Sequence, residues 1–267
     1  MTFSYTQVSQ YLRCPRSYRF RYLAGWRERD SRAVLCFGRC FEKAIAPFFE
    51  GEDSGAVLFK EWGTYRDVPL QYAHGDDWER MLRQGISLLE QLARDNRIHI
   101  RQPKQDLQKK IVRSLPNGNE FVSYVDAIGH LDGTRRLLEW KTTSVRYPDE
   151  PEGVTSLDLQ LVCYSWITGI SDVAIVAFVR KRIPEIQYLL ASITEEQREE
   201  FGQLVEATAH QIETAQFPSH PGIRFPQNGC VSCAHLGLCI RNEELAGTKL
   251  IRQPGAADLD WLDVLDD

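Results

Sequence analysis

Residues 120–142, EFVSYVDAIGHLDGTRRLLEWKT, read as two strands joined by a tight turn. Residues 120–128 alternate towards β-branched and aromatic side chains, Asp132-Gly133 is a hairpin dipeptide, and residues 135–142 form the return strand. Glu139 and Lys141 are two apart on that strand, so both side chains leave one face of it. Asp126 lies thirteen residues before Glu139, which brings two carboxylates and one ammonium to neighbouring strands at the end of the hairpin.

These residue types share a chemistry. Hard divalent cations such as Mg²⁺ or Mn²⁺ take oxygen ligands, and Asp126, Glu139 and the carbonyl of Trp140 would leave positions open for water and a phosphate oxygen. An ammonium at Lys141 can orient a nucleophile and stabilise developing negative charge. Taken alone, an Asp followed by Glu-x-Lys is common on ordinary surface hairpins and has little specificity.

Two further stretches add to it. Residues 159–166 (LQLVCYSW) open a helical run in which Gln160 and Tyr164 are four apart, so they share a face and can reach one substrate together. The hairpin followed by this Gln-x-x-x-Tyr helix resembles the RecB-like branch of the PD-(D/E)xK nuclease superfamily. Upstream, residues 37–46 (FGRCFEKAIA) are similar to that family's first motif, a glycine followed four residues later by a helical histidine. Here the second position is Glu42, an oxygen ligand that suits Mg²⁺ where the relatives carry an imidazole.

Cysteines supply the second constellation. Cys230, Cys233 and Cys239 are spaced C-x₂-C-x₅-C, and Cys14 stands in Arg13-Cys14-Pro15-Arg16. One N-terminal and three C-terminal cysteines resemble the iron–sulfur staple of the AddB nuclease subunit and of the CRISPR-associated RecB-like exonucleases. The resemblance implies a [4Fe–4S] cluster on these four residues. Zn²⁺ is the alternative at a Cys₄ site. Cys36, Cys40 and Cys163 lie in apolar helical text and read as core thiols.

Composition sets the frame. A chain of 267 residues, 43% of them hydrophobic, can bury a substantial core. Seven cysteines, an odd number, argue against a secreted disulfide framework. The first 22 residues lack the apolar segment of a secretory signal, and no run approaches a membrane span, so the expectation is a soluble cytoplasmic protein. Net charge is −5, yet residues 256–267 (AADLDWLDVLDD) carry five aspartates and no cation, leaving the body formally neutral.

Local charge near the N-terminus is positive. Arg13, Arg16 and Arg19 head a run of arginines interleaved with Tyr11, Tyr18, Phe20, Tyr22 and Trp26, a composition suited to phosphate contacts beside base stacking. An amphipathic helix with its aromatics in the core reads equally well, and both can hold at once. The acidic tail, with Leu259, Trp261, Leu262, Val264 and Leu265 among its aspartates, could dock a partner protein, compete with DNA for the basic region, or simply be a solvated end.

The expected organisation is an α/β fold: a restriction-endonuclease-like core, with a central mixed β-sheet flanked by helices, and an N-/C-terminal iron–sulfur subregion. Residues 1–245 would form one nuclease domain, with the cluster joining 1–35 to 217–245, and 246–267 an acidic tail. Helices are expected near 35–49, 78–96 and 194–216, with strands near 107–113, 173–179 and 185–190. The resemblance implies a metal-dependent nuclease acting on single-stranded DNA or DNA ends in recombination, repair, phage or CRISPR processing. The contrasting possibility is a catalytically silent DNA-binding or scaffolding subunit, and a restriction-type endonuclease would need a base-reading module not evident here.

Overall fold

The computed structural model describes residues 1–29, 31–73, 75–148, 152–219 and 229–253. From the N-terminus, β1 (Thr2–Ser4), α1 (Tyr5–Arg13) and α2 (Pro15–Tyr18) lead through a π-helical turn at Arg19–Leu23 to β2 (Trp26–Glu28). Helices α3 (Ala33–Phe49), α4 (Ser54–Gly63) and α5 (Trp78–Asp95) come next. They precede β3 (Ile98–His99), α6 (Pro103–Asp106), β4 (Leu107–Ser114), β5 (Glu120–Leu131) and β6 (Thr134–Thr143). After α7 (Glu152–Thr155) come α8 (Leu159–Thr168), β7 (Asp172–Val179), β8 (Glu185–Ser192) and α9 (Glu195–Glu213). The described chain closes with α10 (Leu236–Cys239), α11 (Glu243–Lys249) and β9 (Leu250–Arg252). These elements divide into a core unit, residues 31–203, and a terminal unit formed by 3–29 and the described residues from 204 onwards.

In the core unit β5, β6, β7 and β8 lie in that order, with β3 and β4 both paired to β5. The β5–β6 hairpin turns at Asp132 (φ 52°) and Gly133 (φ 81°), the two positive angles of a type I′ turn. Strand β6 then runs parallel to β7, Leu137 opposite Val173 and Lys141 opposite Ala177, while β7 and β8 are antiparallel. The parallel pair needs a crossover, and α8 occupies it. The sheet is therefore mixed, as expected.

Helices cover both faces. On one, Phe37 and Phe41 of α3 and Leu88 and Leu89 of α5 pack with Leu138, Trp140 and Phe178 in a continuous apolar cluster. Gly85 allows that approach, since a Cβ there would sit 2.7 Å from the Phe37 ring. On the other face Trp166 of α8 meets Phe121 of β5 and Phe201 of α9 edge-on, with centroids 5.2 and 5.5 Å away. Local signals fix several starts: Asp77 accepts the Arg80 N–H at 2.7 Å to cap α5, and Asp158 accepts those of Gln160 and Leu161 to cap α8.

In the terminal unit, Ser4 and Gln7 form the capping box legible in the sequence, at 3.3 and 3.0 Å, and Pro15 opens α2. Tyr11 and Tyr18 are buried and meet edge-on at 5.6 Å, while Tyr18 stacks on Phe217. These two tyrosines are therefore core residues and do not offer faces for stacking. The Arg16 N–H donates to the Pro218 carbonyl (3.1 Å), and Ser17 Oγ pairs with His235 Nδ1 (3.1 Å), so early and late segments share one core.

The terminal unit continues past residue 245. Ala246 and Leu250 are buried, and β9 pairs antiparallel with β2, Trp26 opposite Arg252 and Glu28 opposite Leu250. Short strands of three residues carry little periodicity, so neither was legible. The aspartate-rich tail, 256–267, lies outside the described residues. Among the described residues no helix is long and apolar enough to cross a membrane.

Candidate active site

The β5–β6 ladder runs from Leu131 opposite Thr134 to Ala127 opposite Leu138 and stops there. One position further along are Asp126 and Glu139. Because the ladder has ended, the Trp140 N–H is free to donate to Asp126 Oδ2 at 2.9 Å. In a strand a residue's N–H and C=O leave the same edge, so the Trp140 carbonyl also faces this gap. Its ring instead packs in the core against Phe49 and Phe178.

Around the gap the side chains form one network. The Lys141 ammonium donates to Glu139 and to Gln160 Oε1 (2.8 Å). Gln160 Nε2 reaches Glu139 Oε2 at 3.0 Å and the Tyr164 hydroxyl at 2.9 Å, and that hydroxyl donates to Asp126 Oδ1 at 3.4 Å. The shared helical face of Gln160 and Tyr164 is thus turned onto the carboxylates. Tyr164 is only 2% exposed and lies behind Asp126, whereas Gln160 and Lys141 are partly open to solvent.

Helix α3 brings Glu42 to the same cluster. Its approach is close: a Cβ on Gly38 would lie 3.3 Å from Thr142 Oγ1, next to Lys141. Glu42 accepts a hydrogen bond from Gln108 Nε2 at 2.8 Å. Gln108 is the contributor that sequence reading missed. The β4–β5 ladder pairs Leu107 with Ala127 and Lys109 with Val125 but skips Gln108, which faces the Asp126 position in a left-handed conformation, φ 46°. That local break turns its amide towards Glu42, and positive φ at a glutamine leaves no signal in the sequence.

Electrostatics reflect the crowding. Burial pushes the Asp126 carboxyl well above the usual carboxylate range, and Glu139 and then Glu42 push it further, against the Trp140 N–H. Glu42 is raised by burial and by Glu139, with Gln108 and Lys141 pulling the other way. Burial disfavours the Lys141 ammonium, but Glu139 and then Asp126 outweigh it and hold its pKa above the ordinary value. Burial, then Asp126 and Glu139, keep the Tyr164 hydroxyl protonated.

Three carboxylates thus face one ammonium in a partly desolvated gap, with a strand carbonyl beside them. Such a set of hard carboxyl oxygens fits a divalent cation such as Mg²⁺ or Mn²⁺, whose charge would favour their ionised forms. Among the described residues, no three or more His, Cys, Asp or Glu side chains stand ready in metal-holding geometry, the carboxylates being tied to protein donors.

The terminal unit gathers the other constellation. Cys14, at the junction of α1 and α2, lies close enough to Cys233 and Cys239 to raise both thiol pKa values, as does Cys230, although burial is the larger cause in each case. Arg13 pulls Cys233 down and Arg16 pulls Cys239 down. Cys36, Cys40 and Cys163 are buried core residues, as expected. Among the described residues, however, the four sulfurs of Cys14, Cys230, Cys233 and Cys239 do not form a metal-holding group. Arg13 and Arg19 are exposed, and Arg16 is half-buried.

The profile of the PD-(D/E)XK nuclease superfamily matches residues 2–240. No curated protein sequence matches the chain. A crystal structure described as a "Putative exonuclease" from Eubacterium rectale is similar over 98% of this chain and 92% of its own, at 14% identity and a TM-score of 0.54. The crystal structure of SSO0001 matches over 89% of this chain and 95% of its own, at 15% identity and a TM-score of 0.35.

Proposed function

The chain belongs to the PD-(D/E)XK nuclease superfamily, and we propose that it is a metal-dependent DNA nuclease whose active site is the Asp126, Glu139 and Lys141 cluster, acting as an exonuclease on single strands or DNA ends. The observation that carries this reading is the convergence of Asp126 and Glu139 with Glu42 and Lys141 at the open end of the β5–β6 hairpin.

Asp126, Glu139, Glu42 and the Trp140 carbonyl would hold a Mg²⁺ or Mn²⁺ ion. When bound, the cation supplies a Lewis acid for a phosphate oxygen and acidifies a water. Lys141 stays protonated and, steadied by Gln160, presents N–H donors to the nucleophile or to the charge that develops on phosphorus. Tyr164 donates to Asp126 and fixes that carboxylate's orientation. Arg13, Arg16 and Arg19 contact the phosphate backbone of the DNA. The four cysteines Cys14, Cys230, Cys233 and Cys239 carry a [4Fe–4S] cluster, with Zn²⁺ the competing occupant.

The decisive experiment incubates the purified protein with end-labelled linear single strands, linear duplex and circular single strands, with Mg²⁺, Mn²⁺ or chelator. Metal-dependent loss of linear DNA with circles spared is the expected result. No hydrolysis of any substrate with either metal sinks the reading in favour of a non-catalytic subunit.

Gln108 makes a second, graded prediction. Gln108→Ala removes the donor that steadies Glu42, so the Mg²⁺ concentration giving half-maximal rate should rise about tenfold, with little change in melting temperature. An unchanged Mg²⁺ requirement would remove Gln108 from the site.

A further inference from the structure

A recess of ≈ 430 Å³ in the terminal unit is lined by Arg16, Arg19 and Arg241 and by the rings of Phe20, Trp26 and Phe217, with Cys239 in its wall. Among the described residues no acidic side chain lines it. The rings are set in place: Phe217 stacks on Tyr18 at 6.1 Å, Phe20 on His235 at 6.0 Å, and Trp26 is held in the β2–β9 ladder.

Arg241 carries the argument furthest. Helix α10 closes with the Asn242 N–H on the Gly237 carbonyl (2.8 Å), and the residue just before Asn242 takes φ 58°. Glycine is what that left-handed position favours, since it has no Cβ to crowd the backbone. An arginine there costs stability that folding does not require, and it adds a third guanidinium to the recess.

We propose that this recess binds one phosphorylated nucleotide of a single DNA strand, with the phosphate on Arg16, Arg19 and Arg241 and the base against Trp26 and Phe20. Guanidinium forks match phosphate oxygens, and aromatic faces accept any base. The volume is at the small end of ligand sites, about 300–1,000 Å³, which suits one nucleotide. The choice of nucleic acid as ligand rests on the nuclease reading above. The site itself lies wholly within the terminal unit and uses none of the residues of the carboxylate cluster.

The test uses the full chain in chelator, so that no strand is cut, and titrates a labelled oligothymidylate and an abasic strand of equal length over a range of salt. Arg241→Gly should bind both strands about tenfold more weakly, with a salt slope shallower by about 0.7, yet melt at the same temperature or higher. Trp26→Leu should weaken oligothymidylate about tenfold and leave the abasic strand unchanged. Arg19→Gln, on an exposed side chain, repeats the charge loss should Arg241→Gly fail to fold.

Wild-type affinity and slope in Arg241→Gly and Arg19→Gln, equal weakening of both strands by Trp26→Leu, or no binding by the wild type would each overturn the proposal. Cleavage with Mg²⁺ is followed in parallel. Cleavage without these affinity losses refutes the recess alone, whereas the affinity losses without any cleavage uphold the recess and refute the nuclease reading.

Discussion

Asp126→Asn is expected to abolish metal-dependent cleavage and, in chelator, to raise the melting temperature. Asparagine keeps the shape of the side chain and can still accept the Trp140 N–H, so the hairpin end should stay in place. What it removes is an ionisable carboxyl beside Glu139 and Glu42, without which the cation loses a central ligand. Loss of one such preorganised group costs about 10³-fold or more in rate.

The stabilising arm follows from linkage. Asp126 and Glu42 have folded pKa values above their unfolded ones, so the folded protein binds more protons between the two values and its stability falls as pH rises through that window. Asp126→Asn removes the larger contribution, which should flatten the decline and add about 2–4 °C at neutral pH. Mg²⁺ affinity of the wild type should change in the opposite sense, rising with pH as the carboxyls deprotonate and releasing protons on binding. Differential scanning fluorimetry across pH, with and without Mg²⁺, checks both. A wild-type rate in Asp126→Asn, or a lower melting temperature in chelator, would remove Asp126 from a metal site.

The second large effect is expected at the other constellation. Protein purified without oxygen should be brown and carry about four irons per chain, and Cys14→Ala should lose both iron and colour. Cys14 and Cys239 are 225 residues apart, so a shared cluster would close a very long loop within the terminal unit. By loop-closure entropy its release costs about 3–5 kcal/mol, seen as a lower melting temperature or a separate early transition. Cys36→Ala, in the buried core, should keep the iron and so separates general destabilisation from loss of a ligand. Stoichiometric zinc without iron or sulfide moves the site to its alternative occupant, and no metal of either kind in anaerobic protein removes it.

Much of the core unit was legible because its signals are local. The Asp132-Gly133 dipeptide specifies its own turn, alternation over 120–128 declares a strand, and Ser4 with Gln7 declares a helix start, each within a few residues. From those the spacing of Glu139 and Lys141 placed two chemical groups on one face. Helix α4 escaped notice: its ten residues include a glycine near each end, and burial of Leu58 and Trp62 holds it. The aromatic run at the N-terminus was ambiguous for a related reason. Burial alone separates Tyr11 and Tyr18, which fill the core, from Phe20 and Trp26, which line a recess.

By itself the sequence determined the succession of helices and strands, the hairpin and its turn, and the pairing of a carboxylate with an ammonium two residues on, because each depends on the short-range geometry of strand, turn and helix. Only the tertiary structure decided which distant groups complete the sites. Gln108 and Glu42 are 66 residues apart and meet through a left-handed residue that breaks one ladder position. Arg241 joins Arg16 and Arg19 only once the two ends of the chain share a core. Contacts of that separation depend on how whole elements pack, which local periodicity does not encode.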